Sequence, residues 1–266
     1  HHLIGSRSLV WNLAKNDIKK KFAGSYFGVV WAFVQPVITV LLYWFVFEKG
    51  LNSKATDLRT GIEIPFVLWL TAGLVPWFYF QEALNGGTGV LVEYSYLVKK
   101  VVFQIDMLPV VKMISELFTH LFFVAFTIVL FICMGYMPDW YALQVIYYSF
   151  CMILFATGLV YATSAVTVFF RDMKEVVGIL LQIGMWVTPI MWNFETMVQI
   201  PGWAIAVLKL NPMYYIVSGY RNALINHIGF WEDMGLTVYF WVVTAVLLFL
   251  GTTVFKKLRP HFADVL

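Results

Sequence analysis

The sequence predicts an all-α integral membrane protein: six transmembrane helices, an N-terminal amphipathic interfacial helix, and two short re-entrant helices between spans five and six. Three observations predict it. Only 12% of the 266 residues are charged and 61% are hydrophobic, whereas a soluble domain carries about 25% charged residues. Six stretches contain no Asp, Glu, Lys or Arg, and each is at or near the roughly 20 helical residues that cross a hydrocarbon layer of about 30 Å. The remaining charges collect between those stretches, more basic on one side than on the other.

Taken in order, His1 and His2 read as the remnant of an expression tag and are set aside. Residues 3–22 form the interfacial helix and 23–266 the six-span domain. On a helical wheel Val10, Trp11, Leu13, Ala14, Ile18 and Phe22 occupy about half the circumference, with most lysines opposite, although Asp17 and Lys21 intrude on the apolar arc. Such a helix lies flat in the interface, its lysines among anionic head groups. The uncharged runs follow: Phe22 to Phe47, Ile64 to Gln81, Leu117 to Pro138, Trp140 to Phe170, Val176 to Phe194 and Met234 to Phe255. The second run is expected to continue past Glu82 toward Gly86. The third span is expected to begin near Pro109, whose fixed φ suits a first helical turn. Between spans five and six the apolar runs 196–208 and 210–220 are too short to cross. Pro201-Gly202 and Asn211-Pro212 break them, so this segment is expected to dip into the outer leaflet and line an external mouth.

Lysine and arginine positions set the orientation. Arg7, Lys15, Lys19, Lys20, Lys21, Lys99, Lys100, Lys112, Arg171, Lys174, Lys256, Lys257 and Arg259 fall on one side, and Lys49, Lys54, Arg59, Lys209 and Arg221 on the other. The excess of the first group predicts that both termini are cytoplasmic.

Several function classes are disfavoured. No Gly-Lys dipeptide occurs, so the chain has no phosphate-binding loop of the GxxxxGK[ST] type. His120, His227 and His261 are too scattered for a metal cluster. Cys133 and Cys151 lie in apolar runs, which argues against a disulfide framework. An intramembrane acyl- or glycosyltransferase would need an acid/base constellation on one membrane side, and the sequence offers none; a purely structural scaffold would not require the broken outer segment. Charges beside or within the spans are the default functional candidates: Glu82, Glu116 and Arg221. The first two could instead snorkel to the interface, and Arg221 could pair with Glu232 or Asp233. Aromatic residues make up 18% of the chain; interfacial belts account for most, and the remainder could face a cavity, where flat amphipathic rings suit sugars. Pro36, Pro76 and Pro189 mark kinks within spans.

Five motifs in order, Gly73 to Phe80 (GLVPWFYF), Leu97 to Phe103 (LVKKVVF), Phe170 to Glu175 (FRDMKE), Thr188-Pro189-Ile190, and Asn211 to Arg221 (NPMYYIVSGYR), carry a resemblance over about residues 9 to 258. The chain resembles the type-2 permease family of ABC exporters, in particular the branch that exports lipid-linked cell-surface polysaccharides. IPFVLWL, LNGGTG, LLYWFVF and YYIVSGYRNAL look most like permeases of wall teichoic acid exporters, while O-antigen and capsule permeases share much of FFRDMKEVVGILLQI. Gln104 departs from the pattern, since relatives commonly have a proline after that Phe.

The resemblance implies a transport subunit without catalytic residues of its own, in the bacterial plasma (inner) membrane. It implies a homodimer with two copies of a separate subunit that holds ATP and Mg, no cofactor on this chain, and no nucleic-acid partner. Glu93, Tyr94, Tyr96, Leu97, Lys99 and Lys100 would couple to the ATPase, with Arg171, Asp172, Lys174 and Glu175 beside them. Lys19, Lys20 and Lys21 would meet the head of an undecaprenyl-diphosphate-linked polymer at the cytoplasmic entrance. Tyr26, Phe27, Trp31, Trp77, Phe78 and Phe80 are the conduit candidates, and Asn211, Pro212, Tyr214, Tyr215 and Arg221 those of the external mouth. A type-2 exporter of drugs or small lipids is the nearest alternative.

Overall fold

The computed structural model describes residues 2–99, 104–193 and 200–266, with side chains from Ser8 onward. The described residues are nearly all helical: α1 (His2–Lys21), α2 (Trp31–Trp44), α3 (Phe66–Glu93), α4 (Ser95–Val98), α5 (Met107–Cys133), α6 (Gln144–Phe169), α7 (Met173–Val187), α8 (Gly202–Lys209), α9 (Pro212–Arg221), α10 (Met234–Leu258) and α11 (Phe262–Val265). A two-residue hairpin, β1 (Ala55–Thr56) and β2 (Glu63–Ile64), pairs antiparallel between α2 and α3. Among the described residues four helical stretches are long and apolar enough to cross a membrane: Gly28–Gly50, Met107–Cys133, Trp140–Phe169 and Met234–Val265. The other two expected spans correspond to α3, which at 28 residues is long but interrupted by Gln81 and Glu82, and α7, which has only 15.

α3 is the hub. Its residues are buried around nearly the whole circumference from Phe66 to Leu91, and it packs on α2, α5, α6, α7 and α9. It also runs further than its uncharged stretch suggests, past Gly86 to Glu93. The gap between α3 and the next span is correspondingly shorter, and α5 starts at Met107, two residues before Pro109. α2 is the opposite extreme: Val40 is its one buried residue, Pro36 lies inside it, and it leaves through a π-helical turn, Phe45–Gly50.

Glycine permits a close approach of α6 and α10. A Cβ on Gly251 of α10 would lie 2.1 Å from the Gly158 carbonyl oxygen of α6, and one on Gly158 would lie 2.9 Å from the Leu248 nitrogen. These are backbone atoms, which cannot swing aside, and small residues at such crossings are how membrane helices gain packing without a hydrophobic drive. Hydroxyls inside the helices mostly close back on their own chain: Thr71 on Val67, Thr88 on Leu84, Thr127 on Phe123, Thr157 on Ile153 and Thr167 on Thr163, each donating to the carbonyl four residues earlier at 2.6–2.8 Å.

The short helices between α7 and α10 differ from one another. α8 buries none of its residues, whereas α9 buries Met213, Tyr215, Ile216, Val217, Gly219, Tyr220 and Arg221 against α3 and α6. Pro212 takes the first turn of α9, and the Asn211 side chain accepts from the Met213 N–H as its cap, the arrangement for which proline and asparagine are suited. Residues 196–199 of the first expected segment lie outside the described residues.

Overpacking the α6–α10 crossing is expected to cost about 1–3 kcal/mol. Gly251→Val should therefore lower the thermal midpoint of the detergent-solubilised protein, while Gly178→Ala, where an added Cβ meets nothing within 4 Å, should leave it equal or higher; a melting scan of both variants reads the difference.

Candidate functional site: a charged cleft beneath the N-terminal helix

The seam of α1 that faces α5 is Val10, Ala14, Asp17 and Lys21, spaced four, three and four residues apart, so all four project from one side. Val10 and Ala14 are buried with Val111 of α5. Asp17 continues the same seam at 2% exposure, and its carboxylate accepts from Lys112 Nζ at 2.9 Å, Ser115 Oγ at 2.7 Å and Tyr94 Oη at 2.8 Å. Burial opposes ionisation of Asp17, but the Lys112 ammonium and the bonds from Ser115, Lys112 and Tyr94 outweigh it and hold the carboxyl below its ordinary range. The Lys112 stem reaches Asp17 across Gly86, where a Cβ would lie 2.5 Å from Lys112 Cε.

One turn further along, Lys21 Nζ lies 2.6 Å from Glu82 of α3 and 3.2 Å from Glu116 of α5. Glu116 is 4% exposed. Neither carboxylate is merely reaching for the interface: both are engaged by α1, which therefore packs on the bundle through its charged intruders as well as through its apolar arc. Lys20 Nζ sits 4.8 Å from the Tyr94 ring centroid and 5.6 Å from that of Tyr96, within cation–π range.

These contacts form one wall of a cleft of about 530 Å³, whose other lining includes Glu93, Arg171 and Lys174. Residues expected at the entrance and residues expected to couple thus meet around one cavity. Lys20, Arg171 and Lys174 face it with no carboxylate in salt-bridge range among the described residues. Of the remaining coupling residues, Tyr94 is buried and turned toward Asp17, Tyr96 and Lys99 are exposed, and Leu97 packs partly buried in the cluster of Val98, Leu108 and Phe262. Lys100 lies outside the described residues. Asp172 and Glu175 sit at the N-terminus of α7, where negative charge suits the helix dipole, and Lys19 is exposed.

A second cavity of about 250 Å³ shares Lys21, Glu82 and Glu116 with the first and continues between α2, α3 and α5 past Gln35, Thr39, Phe78 and His120. From His120 a polar chain leads away from this cavity to Tyr220 and the half-buried Ser149, with Tyr220 Oη 3.0 Å from His120 Nε2 and 2.6 Å from Ser149 Oγ.

The aromatic conduit candidates are not brought together. Tyr26, Phe27 and Trp31 are exposed at the entry to α2, Phe78 faces the second cavity, and Trp77 and Phe80 are buried beside an apolar pocket between α3, α6 and α7.

At the opposite pole, the external-mouth residues turn inward. Arg221 is 6% exposed and donates to the carbonyls of Trp69, Pro189 and Ile190 at 3.2, 2.6 and 2.6 Å, with its guanidinium 3.3 Å from the Trp69 ring centroid. Gly73 leaves room for it, since a Cβ there would lie 2.6 Å from Arg221 Nη2. Glu232 is engaged by Arg59 at 3.3 Å. Asn211 donates to Thr188 Oγ1 at 2.7 Å. Tyr215 is buried, its hydroxyl 3.0 Å from Tyr147 Oη and 3.1 Å from Thr237 Oγ1. Pro212 and Tyr214 are half-buried on α9.

Removing one member of the buried Asp17–Lys112 pair is expected to cost about 3–5 kcal/mol, and replacing both with apolar residues to restore most of it. Hydrogen exchange along α1 should accelerate in Asp17→Ala and recover in Asp17→Leu with Lys112→Met. Because the Asp17 carboxyl is held below its ordinary range, its contribution is fully present above about pH 3.9 and is lost as pH falls through the lower folded value. The difference in α1 protection between the wild type and Asp17→Ala should therefore persist down to that lower value and vanish beneath it.

The family model for ABC-2 type transporters matches residues 8–225. Over 258 residues the chain is 25% identical to the O-antigen export system permease protein of Myxococcus xanthus, covering 97% of this chain and 95% of that protein. It is 22% identical over 258 residues to an O-antigen export system permease protein of Klebsiella pneumoniae, covering 96% and 93%. With its motifs, its apolar helices and a family match over most of its length in agreement, this chain belongs to the ABC-2 type transporter family.

Proposed function

We propose that the chain is the membrane subunit of an ATP-driven exporter that moves an undecaprenyl-diphosphate-linked surface polymer out of the cytoplasm. The observation that carries this reading is the cleft beneath α1. Lys20, Arg171 and Lys174 line it without carboxylate partners among the described residues, which suits an anionic diphosphate. The same cavity borders Glu93 and the FRDMKE turn, the segments expected to meet the ATPase. In this reading all six expected spans cross, with α3 and α7 as the second and fifth, both termini are cytoplasmic, and α8 and α9 are re-entrant from the outside.

The chain works as a homodimer with two ATP-binding subunits, which hold the ATP and Mg. Nucleotide-driven motion reaches α4 first. Tyr94, at the junction of α3 and α4, passes it to Asp17 and so to α1, the roof of the cleft. This is a rigid-body transmission along packed elements. The named relatives favour an O-antigen-class polysaccharide as cargo; the teichoic acid alternative rests on IPFVLWL, LNGGTG, LLYWFVF and YYIVSGYRNAL.

Purification from the native membrane in mild detergent should retain an ATP-binding subunit at one copy per chain, identified by mass spectrometry, and a chain recovered alone in several detergents would overturn the reading. In cells, Lys19 and Lys20 replaced together by Gln, which leaves the Lys21 attachment to Glu82 and Glu116 in place, should reduce surface polymer with the assembly intact. Unchanged export would remove the entrance from the proposal.

A further inference from the structure

At the pole opposite the cleft, three aromatic rings form a shelf. Trp140 and Tyr141 open the 3-10 turn before α6, and Trp231 lies in the turn before α10. Tyr141 and Trp231 are stacked, with centroids 6.4 Å apart and planes 27° from parallel, and Trp140 meets Trp231 at 6.5 Å and 33°. The shelf is open, with Trp140 66% and Trp231 46% exposed.

Its surroundings do not match those of a lipid-facing belt. Belt rings stand among apolar side chains with one polar tip toward water, whereas a cluster of polar and charged side chains borders these. His227 Nδ1 lies 2.9 Å from Asp139 Oδ2, and the His227 ring meets the Tyr141 edge at 5.9 Å. Arg59 pairs with Glu232 and donates to the His227 carbonyl at 2.7 Å. His227 also has a φ of +52°, a left-handed conformation that costs energy for a residue with a side chain and collects at functional sites. Behind it lies a cavity of about 250 Å³ that His227 and Asp57 help to line.

Trp140 and Tyr141 are in contact at 5.0 Å with their planes tilted by 48°, and such a group of clustered rings, with donors and acceptors beside it, complements one chemical class. A pyranose ring presents an apolar C–H face and a rim of hydroxyls, and sites that hold it combine aromatic faces with a few placed polar groups. We propose that the Trp140–Tyr141–Trp231 shelf, with His227, Asp139 and Glu232 at its rim, is a carbohydrate subsite that receives pyranose rings of the polymer as it leaves the protein. The proposal rests on the export reading and deepens it. Each ring that stacks there is held outside the conduit, and a chain held by successive rings slides back less readily.

Saturation-transfer NMR tests the shelf directly. The purified full chain in lipid nanodiscs is presented with maltohexaose, chitohexaose and the lipid-free polymer released by mild acid from cells that make the chain. Transfer to ring C–H protons of at least one of these is expected, reduced at least fivefold in Trp140→Ala and Trp231→Ala, and retained in Trp231→Phe and in Trp203→Ala on α8. No transfer from any of the three, or equal transfer in the shelf variants, overturns the proposal and leaves the rings as interfacial anchors. Failure of the export reading would show separately, as a chain that retains no ATP-binding subunit whether or not it binds sugar.

Discussion

The guanidinium of Arg221 joins parts of the chain that are far apart in sequence. Three carbonyls that accept from it come from α3 and from the turn just after α7, and its own backbone ends α9. A buried charge is tolerated only when paired or fully hydrogen-bonded, and backbone carbonyls at a helix break are unsatisfied unless something donates to them. Each need meets the other here. With Arg221 in place, α7 can stop at Val187, turn through Thr188, Pro189 and Ile190, and leave α9 against the hub helix. The position of α9, which lies between α7 and α10 in the chain, follows from that clamp. It also explains why GLVPWFYF, Thr188-Pro189-Ile190 and NPMYYIVSGYR occur together: Gly73, Pro189 with Ile190, and Arg221 are parts of one contact.

A second polar anchor does the same for the other pole. Asp17 binds α1 to α5 and to the end of α3, and Lys21 repeats the attachment through Glu82 and Glu116. Between the two anchors the helices are held by apolar packing and by the glycine crossing of α6 and α10. Rigid material thus lies at the centre, and the charged groups are placed where α1 and the α6–α7 turn meet the cleft. α2, which shows most of its surface, stands outside this scheme.

Much of the fold was legible because uncharged runs and helices in a membrane protein have a common cause, the cost of charge in lipid. The runs located α6 and α10 closely, whereas that for α2 began nine residues early, at Phe22, and that for α5 ten residues late, at Leu117. They understated α3, whose last turns carry Glu82 and Glu93 and are kept by contacts with other helices rather than by lipid. Asp17 and Lys21 looked like flaws in an apolar arc. The 10–14–17–21 spacing held the signal, but the acceptor seam on α5, Lys112, Ser115 and Glu116, becomes recognisable only once the two helices are known to be paired. The segment between α7 and α10 misled in a similar way: breaks at Pro201 and Asn211-Pro212 bound two short helices, yet nothing local says that α9 is buried while α8 is not. Trp77 and Phe80 have the composition of cavity walls, and their burial beside α6 and α7 depends on long-range packing.

The hydroxyls that close on their own helices have a consequence for the order of assembly. A threonine bonded to the carbonyl one turn back is satisfied as soon as its helix forms, so such a span can enter lipid without a partner. Asp17 with Lys112, Arg221 with its carbonyls, and His120 with Tyr220 are satisfied only between elements. Helix insertion and helix association are therefore separable stages in this chain, as in the two-stage view of membrane proteins. The groups least tolerable in lipid on their own are those that report when the second stage is complete.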